Sequence, residues 1–153
     1  MPHIHEKIDF TTTAYLVYND TVLLRMHDKY KKWLGVGGHI ELDEDPNDAL
    51  VREIKEEIGM DITLEQPVTA EEGYKELLPP DMLNIHHVPN NHEHQHIDLC
   101  YFLQAPTDKV IPGGSDISEE WKWFTEAELD NPEYNIKPRV IMYAKKALNK
   151  FRK

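Results

Sequence analysis

The segment GHIELDEDPNDALVREIKEEIGM, from Gly38 to Met60, constrains this chain more than any other. Asp45 is a good helix N-cap, and Pro46 suits the first helical turn, where its missing N–H is not needed. Asp48 adds negative charge near the positive end of the helix dipole. Leu50, Ile54 and Ile58 recur every four residues, an apolar stripe by which a helix packs inward. Gly59 ends the run, as a residue that tolerates the left-handed conformation. Ahead of the helix, Gly37-Gly38 reads as a tight turn where backbone can approach a ligand closely.

That helix carries a costly feature. Glu53, Glu56 and Glu57 lie within five positions and fall in an arc of roughly 100° on one helix face. Like charges three and four apart repel by about 0.2–0.5 kcal/mol per pair. A divalent cation reverses the sign of that energy, because hard ions such as Mg²⁺ prefer carboxylate oxygens. The plain alternative is a solvated acidic face. Arg52, four residues before Glu56, likewise reads either as an ordinary i,i+4 ion pair or as the group that orients a metal-binding glutamate.

These positions resemble the Nudix hydrolase signature at every fixed place: Gly38, Glu44, Arg52, Glu53, Ile54, Glu56, Glu57, Gly59 and Met60. The likeness extends more loosely over most of the chain, through the strand order and a later Trp123-Phe124-Thr125-x-x-Glu128-Leu129 segment. One departure is Val36, where many family members have proline. The resemblance implies an α/β fold, an α/β/α sandwich with a mixed sheet between helices, and hydrolysis of a pyrophosphate bond in a nucleoside diphosphate-linked substrate. It implies Mg²⁺ or Mn²⁺ held by Glu53, Glu56, Glu57 and a carbonyl of the glycine turn, Gly38 before Gly37. Glu44 then orients the loop and Arg52. Family members often add a carboxylate before the late strand; Asp116, Glu119 and Glu120 are candidates as ligand or general base, with Glu119 or Glu120 preferred. Two rivals share the fold. An isoprenoid diphosphate isomerase needs a catalytic Cys near a degenerate motif, and a silent nucleotide sensor would have lost one of the three glutamates.

Composition sets outer limits. The chain of 153 residues, 40% apolar, is expected to form one domain over residues 1–153 with a core of its own. No apolar run approaches the roughly 20 residues that span a bilayer, and MPHIHEKIDF lacks a leader's apolar segment, so cytoplasm and no membrane are expected. A net charge of −11 argues against nonspecific nucleic-acid binding, leaving a small nucleoside diphosphate derivative as the expected partner. Cys100, the single cysteine, reads as a buried strand thiol rather than a nucleophile.

Alternation and punctuation place the other elements. Strands are expected over Thr12 to Tyr18, Val22 to Met26, Glu93 to Gln104 and Trp121 to Thr125, with an extended stretch from Ile62 to Ala70. Lys29 to Leu34 and Lys109 to Glu120 read as loops, and Gly73 to His92, with its prolines, as an irregular or partly extended excursion. Helices are expected from Glu126 and over Pro138 to Phe151. His86, His87, His92, His94 and His96 crowd into eleven positions. Alternation puts His94, His96 and Asp98 on one strand face, a substrate-facing wall, weighed against an ordinary half-polar face and a Zn²⁺ site. Trp33, Tyr74 and Trp121 are candidate base-stacking residues, weighed against core packing.

Overall fold

The computed structural model describes residues 7–27, 30–65, 71–113 and 120–153. Its strands are β1 (Ile8–Tyr18), β2 (Thr21–His27), β3 (Lys32–Leu34), β4 (Val36–His39), β5 (Met82–Val88), β6 (Asn91–Gln104) and β7 (Trp121–Phe124). The helices are α1 (Pro46–Ile58), α2 (Glu126–Leu129) and α3 (Pro138–Phe151), with a 3₁₀ turn over Pro132–Tyr134. The strands join in one sheet in the order β3-β2-β1-β6-β5, while β4 also pairs with β1 and β7 with β2. β1 and β6 run parallel; the remaining pairs are antiparallel. The sheet is therefore mixed, as expected.

Side chains alternate along β1, and each face receives one long helix. Ala14 and Leu16 pack with Leu50, Ile54 and Ile58 of α1 and with Tyr101. Tyr15 and Val17 pack with Val140, Tyr143, Ala144, Ala147 and Leu148 of α3 and with Phe102. Helix α1 begins and ends where its residues dictate. The Asp45 side chain accepts from the Asp48 N–H at 2.9 Å, and Asp48 returns the bond to the Asp45 N–H at 3.2 Å. Gly59 closes the helix at φ 71°. Asp45→Ala should cost about 1 kcal/mol of stability, and more than Asp45→Asn, read from urea midpoints at constant slope.

Several expectations are changed or sharpened. Gly37 and Gly38 are not a turn but the middle of strand β4, opposite Thr13 and Thr12 of β1. Glycine is needed there for close approach, since a Cβ on Gly37 would overlap the Thr12 carbonyl. The segment read as irregular or partly extended contains the strand β5, joined to β6 by a turn at Pro89 and Asn90, with Asn90 at φ 65°. Lys32–Leu34, read as loop, forms the short strand β3 against β2. The stretch expected to be extended has no regular element over 62–65, and its remainder lies outside the described residues.

Candidate active site and the histidine cluster

Helix α1 presents its carboxylates towards β4, where two guanidinium groups hold them. Arg52 Nε and Nη2 bond Glu44 at 3.0 and 2.7 Å, Nη1 bonds Glu53 at 2.9 Å and Glu56 at 3.2 Å, and Nη2 also reaches the His39 carbonyl at 3.0 Å. The i,i+4 pair of Arg52 with Glu56 is thus present, and the same guanidinium also holds Glu44 and Glu53. Glu44 in turn accepts from the Glu41 N–H at 2.8 Å, fixing the loop ahead of the helix. Glu57 is held differently: Oε1 lies 3.1 Å from Arg25 Nη1, and Oε2 accepts from the Gly37 N–H at 3.2 Å. Arg25, on β2, has no signal in local sequence; only the position of β2 against α1 brings it here.

The Glu53 carboxylate lies directly against Gly38, in the space a Cβ on residue 38 would fill. Burial raises its pKa, and the Arg52 hydrogen bond only partly offsets this. The Arg52 hydrogen bond lowers that of Glu44, and Arg52 is itself raised, first by Glu44. Among the described residues Glu41, Glu44, Glu53, Glu56 and Glu57 face Arg25 and Arg52, which leaves a surplus of negative charge on neighbouring oxygens. An all-oxygen donor set with that surplus beside a bare glycine backbone fits a hard divalent cation.

The two described ends of the late acidic loop, Gly113 and Glu120, lie near this region. The Gly113 N–H bonds the Glu57 carbonyl at 3.3 Å, and the Glu120 carbonyl accepts from Met26 at 2.8 Å. Glu120 is exposed, next to Trp121, which pairs with Arg25 in the sheet. Asp116 and Glu119 lie outside the described residues. Of the aromatic candidates, Trp33 is buried in the core against Phe124 and Tyr134. Tyr74 is exposed and donates to Glu76 at 2.6 Å. Trp121 lies beneath the Arg25 guanidinium, 6.0 Å away.

His94, His96 and Asp98 do share a strand face, but the structure divides them. Asp98 is occupied by Thr11 and Thr13, at 3.0 and 2.9 Å, and by the Cys100 thiol at 3.3 Å. His94 and His96 instead gather with His39 about Asp9. Burial raises the Asp9 pKa, yet the His94 hydrogen bond and the surrounding imidazoles leave it lowered overall. Burial also lowers that of His96. By alternation this cluster shares the α3 face with Tyr15 and Cys100, whereas Gly38 meets Glu53 on the α1 face. The glutamate cluster and the histidine cluster stand on opposite sides of the sheet.

A family model of the NUDIX domain matches residues 10–144. The chain belongs to the Nudix hydrolase family. Among solved Nudix structures, a hydrolase of the family from Clostridium perfringens is 32% identical, with 94% of this chain and 98% of that one covered at a TM-score of 0.80. A MutT NUDIX hydrolase from Burkholderia pseudomallei is 19% identical over 96% of this chain and 100% of its own, with a TM-score of 0.64, a likeness of fold. A curated relative, a probable DHNTP pyrophosphohydrolase of Lactococcus lactis subsp. cremoris, is 27% identical over 103 residues, 66% of this chain. The match spans 57% of that relative's length. The described residues contain no helix long and apolar enough to cross a membrane.

Proposed function

We propose that this Nudix chain, acting as one domain over residues 1–153, is a Mg²⁺- or Mn²⁺-dependent pyrophosphohydrolase of a small nucleoside diphosphate derivative. The observation that carries the reading is the set of Glu53, Glu56 and Glu57 carboxylates fixed by Arg25 and Arg52 beside Gly38. The pyrophosphohydrolase name of the Lactococcus relative supports the reaction class. The charge of −11 disfavours nonspecific nucleic-acid partners, and a cytoplasmic setting goes with such a substrate.

Glu53, Glu56, Glu57 and the Gly38 carbonyl would hold the cation. Once bound, it supplies neutralisation of phosphate oxygens and a lower pKa for attacking water. The chain's own groups do the rest. Arg52 and Glu44 are positioning residues that hold Glu53 and Glu56 in place. Arg25 and the Gly37 N–H fix both oxygens of Glu57. Glu120, an exposed carboxylate beside the Trp121–Arg25 pair, takes the proton of the attacking water as general base. Water then adds to a phosphorus of the pyrophosphate, and a phosphate-containing group leaves. The isomerase alternative loses support from Cys100, a buried thiol whose pKa is pushed up by burial and by Asp98.

The deciding experiment incubates the chain with a panel of nucleotides and resolves the products by chromatography. Turnover should vanish with chelator and return with Mg²⁺ or Mn²⁺; full turnover in excess chelator would overturn the reading. Metal at 100 times its dissociation constant should also stabilise the fold by about 2.7 kcal/mol, seen as a raised melting temperature.

A further inference from the structure

We propose that Asp9, His94 and His96, with His39 beside them, bind one transition-metal dication of the Zn²⁺ class, at a site separate from the α1 glutamates. The strand register builds it. Asp9 of β1 lies opposite His96 of β6, and Thr11 lies opposite His39 of β4. With side chains alternating along each strand, all four groups project from one face of the sheet. The Nε2 atoms of His94, His39 and His96 lie 2.8, 3.3 and 4.0 Å from the same oxygen, Asp9 Oδ2. One donor atom from each of Asp9, His94 and His96 lies within 4.8 Å of the other two.

Hydrogen bonding explains only part of this. The His94–Asp9 contact is a good hydrogen bond, but 4.0 Å from His96 is beyond the reach of one. His96 is nevertheless held edge-on among His39, His94 and His86, with ring centroids 4.9, 5.6 and 5.5 Å away. Tetrahedral Zn²⁺ with bonds near 2.0–2.1 Å places neighbouring donor atoms about 3.4 Å apart. The three separations from Asp9 Oδ2 bracket that value. One dication takes the lone pairs of the neutral imidazoles and the carboxylate together, so small ring rotations convert the cluster into a coordination shell.

Ligand chemistry separates this site from the first. Imidazole with carboxylate suits Zn²⁺ and its neighbours in the transition series, whereas an all-oxygen set suits Mg²⁺ or Mn²⁺. An ion held here ties β1, β4 and β6 together. The inference does not depend on the hydrolytic reading, because none of its ligands belongs to α1.

The test uses untagged full-length chain stripped with chelator, then dialysed against Zn²⁺ in excess Mg²⁺. Wild type and Glu53→Gln should each retain one Zn²⁺ per chain. His94→Ala and His96→Ala should weaken retention at least about a hundredfold, beyond what loss of an outer hydrogen bond costs. Absence of retained Zn²⁺ in wild type, or loss in Glu53→Gln with retention in His96→Ala, overturns the proposal. If the histidine variants fail to fold, X-ray absorption at the zinc edge of wild type decides. Imidazole scattering in the shell supports the site, and an all-oxygen shell overturns it.

Discussion

Glu57→Gln is expected to lower kcat/KM about a thousandfold, about 4 kcal/mol, on every substrate that the wild type hydrolyses. The substitution keeps the shape of the side chain and removes one of the charges proposed to hold the cation. It also removes the charge that Arg25, whose side chain is 13% exposed, meets at 3.1 Å, so the melting temperature should fall as well. Glu53→Gln separates the two effects. Burial raises the Glu53 pKa in the folded chain, so the folded state binds that proton more tightly than the unfolded one, and ionisation at neutral pH opposes folding. Removing the charge should therefore leave metal-free stability unchanged or higher, while activity falls by a similar thousandfold. Steady-state kinetics on at least three nucleotides, with melting curves in chelator and in Mg²⁺, read both. A Glu53→Gln enzyme within tenfold of wild type would remove that residue from the site.

Two adjacent glycines should fail in different ways. The atoms nearest a Cβ on Gly37 are all main chain, the Thr12 carbonyl and, at 2.9 Å, Thr13 Cα. β1 cannot yield there, because its parallel register with β6 runs without a break from Ile8 to Val17. Gly37→Ala should cost about 4 kcal/mol or more, the range of severe steric defects. The atoms nearest a Cβ on Gly38 all belong to the Glu53 carboxylate, the far end of a flexible side chain. That side chain can swing aside, so Gly38→Ala should fold with a loss of about 1 kcal/mol or less, in the usual range for a mild substitution. The displaced carboxylate should then cost about a hundredfold in kcat/KM, the scale of an ångström's misplacement. Denaturant unfolding and kinetics on both variants check this. A fully active Gly38→Ala variant would mean that Glu53 is not where the chemistry needs it.

The helix α1 was legible because its signals are local: a cap, an apolar stripe and a terminal glycine all lie within the residues they govern. β1, β6 and α3 were legible by period alone. β5 was not, because its alternating burial is written partly in Asn84, His86 and His87, polar residues that give no apolar signal, between prolines that read as loop. Gly37-Gly38 misled for a related reason. Paired glycines signal turns, but here they let β4 lie close on Thr12, a demand set by another strand. The groups that complete both clusters, Arg25, Asp9 and His39, depend on pairings between strands distant in sequence. Glu44 was readable because its partner Arg52 lies within the same motif.

The parallel pairing of β1 with β6 bears on how the chain reaches this state. Val17 and Val22 meet across a hairpin five residues apart, whereas Ile8 and Gln95 meet across 87. Each doubling of loop length adds about 0.6 kcal/mol of closure entropy, so the second contact costs about 2.5 kcal/mol more to form. The β1–β2 hairpin, β4 and α1 all lie on the near side of that span, and so do the glutamates. Docking of β6 is then the slow event in folding, and the glutamate helix can be shaped before the imidazoles meet Asp9. Substitutions at the β1–β6 seam should alter the refolding rate, followed by tryptophan fluorescence, more than substitutions within α1 do.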